Sequence, residues 1–253
     1  LYSKAVETQR PDPVLVDKKA LEIVNQVDYD FSRLKVPQKT VAMVLLRARK
    51  MDEYTRDFLA QHPQSVVIQL GCGLDSRCLR VAPYQADWYD LDFPQVIDLR
   101  RVFYQENSHY NMIAAPVTDF SWMDQVAARR RPVLVLAEGL MMYLHEKEVK
   151  ALLLALRETF PGCHLGFDVF SQMTARSVGA HPSLQKTGAS VHWGIDDARQ
   201  IESWGEGIQL QEEWFFTQSE ALEKFSPGFR LAFKLAGWFP AARKAHRLVF
   251  FRL

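Results

Sequence analysis

Short runs of apolar residues, each bounded by glycine, proline or polar residues, recur along the chain. The runs at residues 66–70 and 132–137 carry no charge and are rich in valine, isoleucine and leucine. Such runs are typical of strands that are covered on both faces in a parallel sheet. Further strands are predicted near residues 87–92, 111–115, 164–169, 210–217 and 247–253. The pattern indicates one α/β fold.

Helical periodicity separates most of these strands. Residues 40–60 place apolar side chains on one arc of a helix, and Arg47 falls inside that arc. Helices are also predicted at 94–105, which begins with a proline, and at 146–160, which ends before Pro-Gly. Strands that alternate with helices predict a mostly parallel sheet. The last two strands lack a regular crossover, which predicts a C-terminal antiparallel hairpin at the sheet edge.

Two glycines, Gly71 and Gly73, follow the first predicted strand where a helix should begin. Glycine permits positive φ and has no Cβ, so backbone there can approach a ligand closely. An ordinary tight turn is the alternative. Asp92 ends the next strand, where a carboxylate can accept hydrogen bonds from both hydroxyls of a ribose. Ser76 replaces the third glycine of the dinucleotide pattern, which favours an adenosyl ligand without a pyrophosphate, such as S-adenosylmethionine.

Other candidate ligand contacts lie near later strand ends. Asp119 and Phe120 follow the third strand and could bind an adenine, although Asp119 also fits a helix cap. Glu138 directly follows the buried fourth strand, where a carboxylate needs a partner or a ligand. It could orient the ammonium group of the cofactor or contact the substrate. Arg47 could bind a ligand carboxylate; an internal ion pair, or a side chain that reaches to water, is the alternative.

The sequence identifies no catalytic residue. No His/Asp pair can be assigned as a base, and Tyr143 is a candidate only because its hydroxyl could face a substrate. His181 and His192 lack metal-ligand spacing, so no metal is predicted.

Composition excludes several classes of protein. The net charge of +1 gives no general attraction to nucleic acid or to an anionic membrane. No apolar run is long enough to span a bilayer, and the observed start lacks the features of a signal peptide. The three cysteines show neither an even count nor C-x-x-C spacing. We therefore expect a cytoplasmic protein with no nucleic-acid or membrane partner.

The chain is predicted to be a single domain over residues 1–253. Its parts are an N-terminal cap (1–36), a cofactor-binding core (37–169), a helical lid insertion (170–207) and a C-terminal hairpin region (208–253). The insertion is mixed and polar, and it contains aromatic residues. Segments above the carboxyl ends of strands are a common place for lids and for substrate selection.

Four stretches carry a resemblance to a known family. They read R-A-R-K-M-D at 47–52, V-I-Q-L-G-C-G-L-D-S-R at 67–77, Y-D-L-D-F-P at 89–94 and A-E-G-L-M-M-Y-L at 137–144. In this order they resemble the leucine carboxyl methyltransferase family, in particular its bacterial branch of polyketide O-methyltransferases of the tetracenomycin type. The resemblance implies a Rossmann-like class I methyltransferase that binds S-adenosylmethionine.

The same resemblance implies a set of cofactor-binding residues. Arg47, assisted by Lys4, would hold the carboxylate of the cofactor, although the spacing near Lys4 differs from that of the carboxyl methyltransferase. The remaining members are Gly71 beneath the methionine part with Gly73 in the same turn, Asp92 at the ribose, Asp119 and Phe120 at the adenine, and Glu138 after the fourth strand. Cys72 replaces the usual alanine between the glycines.

The expected reaction is methylation of a hydroxyl or carboxylate oxygen on a small, polyketide-like acceptor. The aromatic content of residues 170–216 favours an apolar or aromatic acceptor. The alternatives are carboxyl methylation of a protein, modification of RNA, a nicotinamide-dependent oxidoreductase, and a cofactor-binding protein without turnover. The sequence does not predict the oligomeric state.

Overall fold

A seven-stranded sheet forms the centre of the fold. The computed structural model describes residues 1–179 and 189–253. The strands are β1 (Val66–Leu70), β2 (Asp87–Asp92), β3 (Tyr110–Ala114), β4 (Val133–Ala137), β5 (His164–Phe170), β6 (Gln209–Phe215) and β7 (His246–Arg252). Their spatial order is β3-β2-β1-β4-β5-β7-β6. Strands β1 to β5 run parallel, and β7 is antiparallel to both β5 and β6. The predicted α/β fold with a mostly parallel sheet is confirmed.

Helices cover both faces of this sheet. The α-helices of the described residues are α1 (Tyr2–Thr8), α2 (Lys18–Gln26), α3 (Gln38–Gln61), α4 (Arg77–Arg80), α5 (Pro94–Phe103), α6 (Glu146–Thr159), α7 (Gln172–Gly179), α8 (Pro227–Gly237) and α9 (Pro240–Lys244). Short 3₁₀ helices occupy Phe31–Leu34, Phe120–Gln125, Met141–Tyr143, Ala198–Trp204, Phe216–Gln218 and Glu220–Lys224.

The continuous apolar character of β1 follows from this covering. Its side chains alternate between the two faces, since Val66 and Ile68 belong to one apolar core and Val67 to the other. The first core also contains Leu152 of α6, and the second contains Ile97 of α5. Both faces are therefore buried, as expected of a central strand in a parallel sheet.

The two terminal strands pair antiparallel as predicted, but residues 216–245, which include α8 and α9, lie between them. They are not joined by a tight turn, and β7 lies between β5 and β6. Because β7 runs antiparallel, its first residue His246 pairs with Phe170, the last residue of β5. The amino end of β7 therefore lies at the same sheet edge as the carboxyl ends of the parallel strands.

The region predicted as a lid packs partly against this edge. Helix α7 follows β5 directly, and Trp193 is buried in the core between the rings of Phe167 and Trp204. The exposed His192 stacks on His145. His181 lies outside the described residues. The role of a lid stays a prediction.

Candidate cofactor and acceptor site

The predicted glycine turn lies at the carboxyl end of β1 and has the expected backbone. Gly71 and Gly73 adopt φ values of +62° and +50°, in the left-handed region that favours glycine. Asp92 closes the turn from β2: its Oδ2 accepts the N–H of Gly73 at 2.8 Å, and its Oδ1 accepts the N–H of Phe93 at 2.8 Å. Each carboxylate oxygen keeps a second lone pair, so Asp92 can still accept hydrogen bonds from a ligand.

The space beside this turn is open. A Cβ placed on Gly73 would meet no protein atom within 4 Å, and one on Gly71 would come only against the side chain of Leu140, at 3.2 Å. The turn is therefore a cradle that a ligand can enter, which fits an adenosyl cofactor lying across β1 and β2.

Arg100 of α5 supports the turn from inside the protein. Its Nη1 donates to the carbonyl of Gly73 at 2.9 Å, and its Nε donates to the hydroxyl of Tyr110 at 2.9 Å. Its Nη2 also binds the carboxylate of Asp90, and both charged side chains are fully buried. A charge-assisted pair inside the core thus fixes the position of the glycine turn.

Arg47 of α3 is paired inside the protein, as the alternative interpretation of this residue predicted. Its Nε donates to Glu138 at 3.0 Å and its Nη1 donates to Asp168 at 2.7 Å. Its Nη2 has no hydrogen-bond partner among residues 1–179 and 189–253, and the side chain is 17% exposed. The guanidinium therefore retains a donor for a ligand carboxylate, and its cofactor role stays a prediction.

Glu138 lies between two guanidinium groups, those of Arg47 and Arg77. Burial alone would raise its pKa, but the positive charges of Lys4, Arg47 and Arg77 outweigh burial and lower the pKa to about 2. Glu138 is thus ionised at neutral pH, where a carboxylate can accept a hydrogen bond from an ammonium group.

The lowered pKa of Glu138 predicts a pH-dependent contribution to stability. A carboxyl group whose pKa is lower in the folded protein than in the unfolded protein stabilises the fold at any pH above its unfolded-state pKa. That stabilisation is lost as the pH falls from the unfolded-state pKa through the folded-state pKa. Wild type should be more stable than Glu138→Gln by about 2 to 3 kcal/mol at pH 6. The difference should shrink between about pH 4.5 and pH 2. Urea unfolding of both proteins at pH 6 and pH 3 measures it; an equal difference at both values would contradict the assignment.

Lys4 of α1 is buried and donates to Asp75 Oδ1 at 2.5 Å, just beyond the glycine turn. Asp75 also accepts from Arg80 at 2.8 Å. The pKa of Asp75 is well below its ordinary value, because the positive charges of Arg80, Lys4 and Arg77 outweigh its burial. Helix α1 is thus held against the turn by the Lys4–Asp75 ion pair, and the role of Lys4 toward a cofactor stays a prediction.

Asp119 and Phe120 follow β3 at the same edge. Asp119 is exposed and accepts from the backbone N–H and hydroxyl of Ser121, at 3.2 and 2.8 Å. It therefore acts as a helix cap here, which was the alternative interpretation. Phe120 is partly buried against the core. Contact of either residue with an adenine stays a prediction.

Tyr143, the candidate for acceptor contact, lies in the 3₁₀ turn after β4 with its ring exposed. Burial raises the pKa of its phenol, so the hydroxyl keeps its proton at neutral pH. Its contact with an acceptor stays a prediction.

The structure reveals a His/Asp pair that sequence reasoning did not assign. Asp168, fully buried in β5, accepts from Nε2 of His246 at 2.7 Å and from the N–H of Gly139 at 2.6 Å. The two residues are 78 positions apart and meet because β5 and β7 pair antiparallel. The only signal in the sequence was a single carboxylate inside the apolar run at 164–169.

A cavity of about 550 Å³ opens beside this pair. It lies between α3, α7, α8 and α9, with an apolar lining that includes Val44, Phe170 and Phe233. Arg47 and His246 also line this cavity. The cavity therefore adjoins the two side chains that hydrogen-bond to Asp168, one of which, Arg47, also bonds to Glu138. A larger cavity, of about 740 Å³, lies where the parallel strands begin, away from the glycine turn.

The described residues hold neither a metal centre nor a membrane-spanning helix. No cluster of three or more histidine, cysteine or acidic side chains there could hold a metal ion. None of the helices described has the length and apolar character needed to span a bilayer.

Comparison with known proteins agrees with this architecture. A model of the leucine carboxyl methyltransferase family matches residues 1–157. The chain is 40% identical to the tetracenomycin polyketide synthesis O-methyltransferase TcmP of Streptomyces glaucescens, over 98% of this chain and 92% of that protein. It is 31% identical to the S-adenosyl-L-methionine-dependent methyltransferase dpfgK of Gibberella zeae, over 94% and 88% of the two chains.

A solved structure shows the same fold at low sequence identity. Magnesium protoporphyrin IX methyltransferase of Synechocystis, crystallised with bound S-adenosylhomocysteine, superposes with a TM-score of 0.51 at 12% identity, over 92% of this chain and 94% of that one. The family match covers more than half of the chain, and the TcmP match spans nearly all of it. The chain therefore belongs to the leucine carboxyl methyltransferase family of S-adenosylmethionine-dependent methyltransferases.

Proposed function

We propose that this protein methylates an oxygen atom of a small, largely apolar acceptor, with S-adenosylmethionine as the methyl donor. The observation that carries the proposal is the 40% identity to TcmP over nearly the full length of both chains. The 550 Å³ apolar cavity beside Arg47 supports it, because that volume is in the range of small-molecule sites.

The residues at the carboxyl ends of the strands fit the cofactor. Asp92 would accept the ribose hydroxyls, and the open turn at Gly71 and Gly73 would lie beneath the methionine part. The free Nη2 of Arg47 would bind the carboxylate, and the ionised Glu138 would accept from the ammonium. Lys4, Asp119 and Phe120 complete the proposed set.

When bound, S-adenosylmethionine supplies a methyl group that its cationic sulfur already activates. The protein residues then have to align the acceptor oxygen with that methyl group and exclude water. Arg47 suits the first task, since it borders both the cofactor residues and the cavity. The apolar lining of the cavity suits the second.

Calorimetry tests the cofactor site. S-adenosylhomocysteine should release heat on binding, whereas NAD should not, because Ser76 stands where a pyrophosphate site has its third glycine. Asp92→Ala should bind S-adenosylhomocysteine about 10- to 100-fold more weakly, since the ligand loses hydrogen bonds to a charged acceptor. Arg47→Ala should also bind it more weakly.

Asp98→Ala is the matched control, because it removes a carboxylate of α5 that is 73% exposed and paired only with Arg101 among the described residues. Its affinity should equal that of the wild type. Unchanged binding in both Asp92→Ala and Arg47→Ala would refute the site, and heat with NAD alone would refute the proposed function.

A further inference from the structure

Three hydrogen-bond donors meet at one fully buried carboxylate, that of Asp168 in β5. Its Oδ2 accepts from Nη1 of Arg47 and from Nε2 of His246, both at 2.7 Å. Its Oδ1 accepts from the N–H of Gly139 at 2.6 Å. A carboxylate in the core has to keep its donors, because an unpaired charge there is costly. We therefore expect the loss of one donor to change how the other two bind.

The guanidinium of Arg47 is divided between two carboxylates. Its Nε donates to Glu138 at 3.0 Å and its Nη1 donates to Asp168, while Nη2 has no partner among the residues that the structure describes. Arginine often gives a single carboxylate two parallel hydrogen bonds. Such a pair with Asp168 would use Nη1 and Nη2 together, and no donor would remain for a ligand.

His246 is a rigid donor to the oxygen that Arg47 also binds. Its ring packs against Phe170 and Phe216, with centroids 4.6 and 4.9 Å away. Burial would raise the pKa of Asp168, but the charge of Arg47 and the hydrogen bond from His246 lower it, so the carboxylate is ionised and Nε2 carries the proton. Burial lowers the pKa of His246, and Asp168 opposes this shift without reversing it. The neutral ring therefore orients the carboxylate and leaves its charge to Arg47.

Gly139 provides the space beside Nη2 of Arg47. It has a φ of +70°, and a Cβ built on it would lie 3.2 Å from that nitrogen. Nη2 thus lies against bare backbone at the carboxyl end of β4. Because the N–H of Gly139 donates to Asp168, the same carboxylate fixes both the guanidinium and the backbone beside it.

We propose that His246 is a positioning residue for the cofactor: by donating to Asp168, it keeps Nη2 of Arg47 free for the carboxylate of S-adenosylmethionine. This inference rests on the proposed function, and it adds a residue from the wall of the 550 Å³ cavity to the cofactor site. Without Nε2, Asp168 would lack a donor and Nη2 would turn toward it. The cofactor carboxylate would then lose its partner.

Substitutions at position 246 separate the donor from the shape of the ring. His246→Phe keeps an aromatic ring and removes the donor, whereas the amide of His246→Gln can still donate to Asp168. His246→Val, which also lacks a donor and suits a strand, repeats the test if the larger ring prevents folding. His109→Phe is the matched control, because His109 also bonds to a carboxylate, Asp87 at 2.7 Å, but is 68% exposed and lies where the parallel strands begin.

Calorimetry compares S-adenosylhomocysteine with its decarboxylated form, which keeps the adenosyl, thioether and amino groups. Wild type should bind S-adenosylhomocysteine about 10- to 100-fold more tightly, since only this ligand has a carboxylate for Arg47. His246→Phe should lose about 10-fold in affinity for S-adenosylhomocysteine but less than about twofold for the decarboxylated form. Arg47→Ala should show the same pattern with a loss at least as large. His246→Gln and His109→Phe should match wild type with both ligands.

The contrary results are distinct. Equal losses for the two ligands in His246→Phe would show that His246 supports the site as a whole and not the carboxylate contact. Unchanged affinity in His246→Phe, or a loss in His246→Gln as large as in His246→Phe, would show that its donor does not position Arg47. Equal binding of the two ligands by wild type would remove the carboxylate from Arg47 and leave the methyl donor in place. Failure of wild type to bind either ligand would instead refute the proposed function.

Discussion

Replacing Arg100 with methionine should lower the free energy of unfolding by about 3 to 5 kcal/mol. Arg100 and Asp90 are both fully buried, and the substitution leaves the carboxylate in the core without its cation. The hydroxyl of Tyr110 and the indole N–H of Trp88 still donate to Asp90, but neither carries charge. Denaturant unfolding followed by circular dichroism measures the loss.

Arg101→Met provides the control one residue along the same helix. Its side chain is 45% exposed and pairs with Asp98 at 3.3 Å and Glu106 at 3.5 Å. Surface pairs of this kind contribute about 0 to 1 kcal/mol, so Arg101→Met should unfold close to wild type. Equal stability of the two variants would show that the buried pair contributes no more than a surface pair.

Arg100 also shows why the sequence could predict the glycine turn but not the side chain that holds the turn in place. The two glycines and Asp92 are visible in the sequence because backbone freedom and a carboxylate at a strand end leave local signals. The donation from Arg100 to the Gly73 carbonyl joins residues 27 positions apart. No local pattern marks it, since an arginine in a helix is usually solvated.

The fold itself was predictable because its signal is periodic. Apolar runs and helical arcs located the five parallel strands to within one or two residues, as β1 and β4 show. The position of β7 between β5 and β6 could not be inferred, because strand order depends on packing between distant segments. That one placement brings His246 to Asp168, so the sequence could not reveal this pair for the same reason that it could not reveal the strand order.

The ion pairs at the site explain why the role of Arg47 was ambiguous in the sequence. An arginine on an apolar arc needs an anion, and both a ligand carboxylate and an internal acid satisfy that need. The structure supplies internal acids, Glu138 and Asp168, and leaves Nη2 free of partners among the described residues. Both interpretations can therefore hold in one side chain.

Gly73→Ala should weaken S-adenosylhomocysteine binding at least about 10-fold while leaving the protein folded. The added methyl group meets no protein atom within 4 Å, so it does not disturb packing. It projects into the open space beside the turn, where the proposed ligand lies. The φ of +50° costs an alanine about 1 to 2 kcal/mol of stability, a loss that a stable domain tolerates and that thermal unfolding measures separately from binding.

Gly207→Ala isolates the backbone contribution. Gly207 has a φ of +85°, and a methyl group added there would also meet no atom within 4 Å, but it lies before β6, away from the glycine turn. Both variants should lose similar stability on heating, and only Gly73→Ala should lose affinity in calorimetry. If both variants bind S-adenosylhomocysteine as tightly as wild type, the cofactor does not rest on the turn at Gly73. If both lose the same affinity, the loss is not specific to that turn, and the same conclusion follows. The comparison therefore tests the position of the cofactor without altering any charged residue of the site.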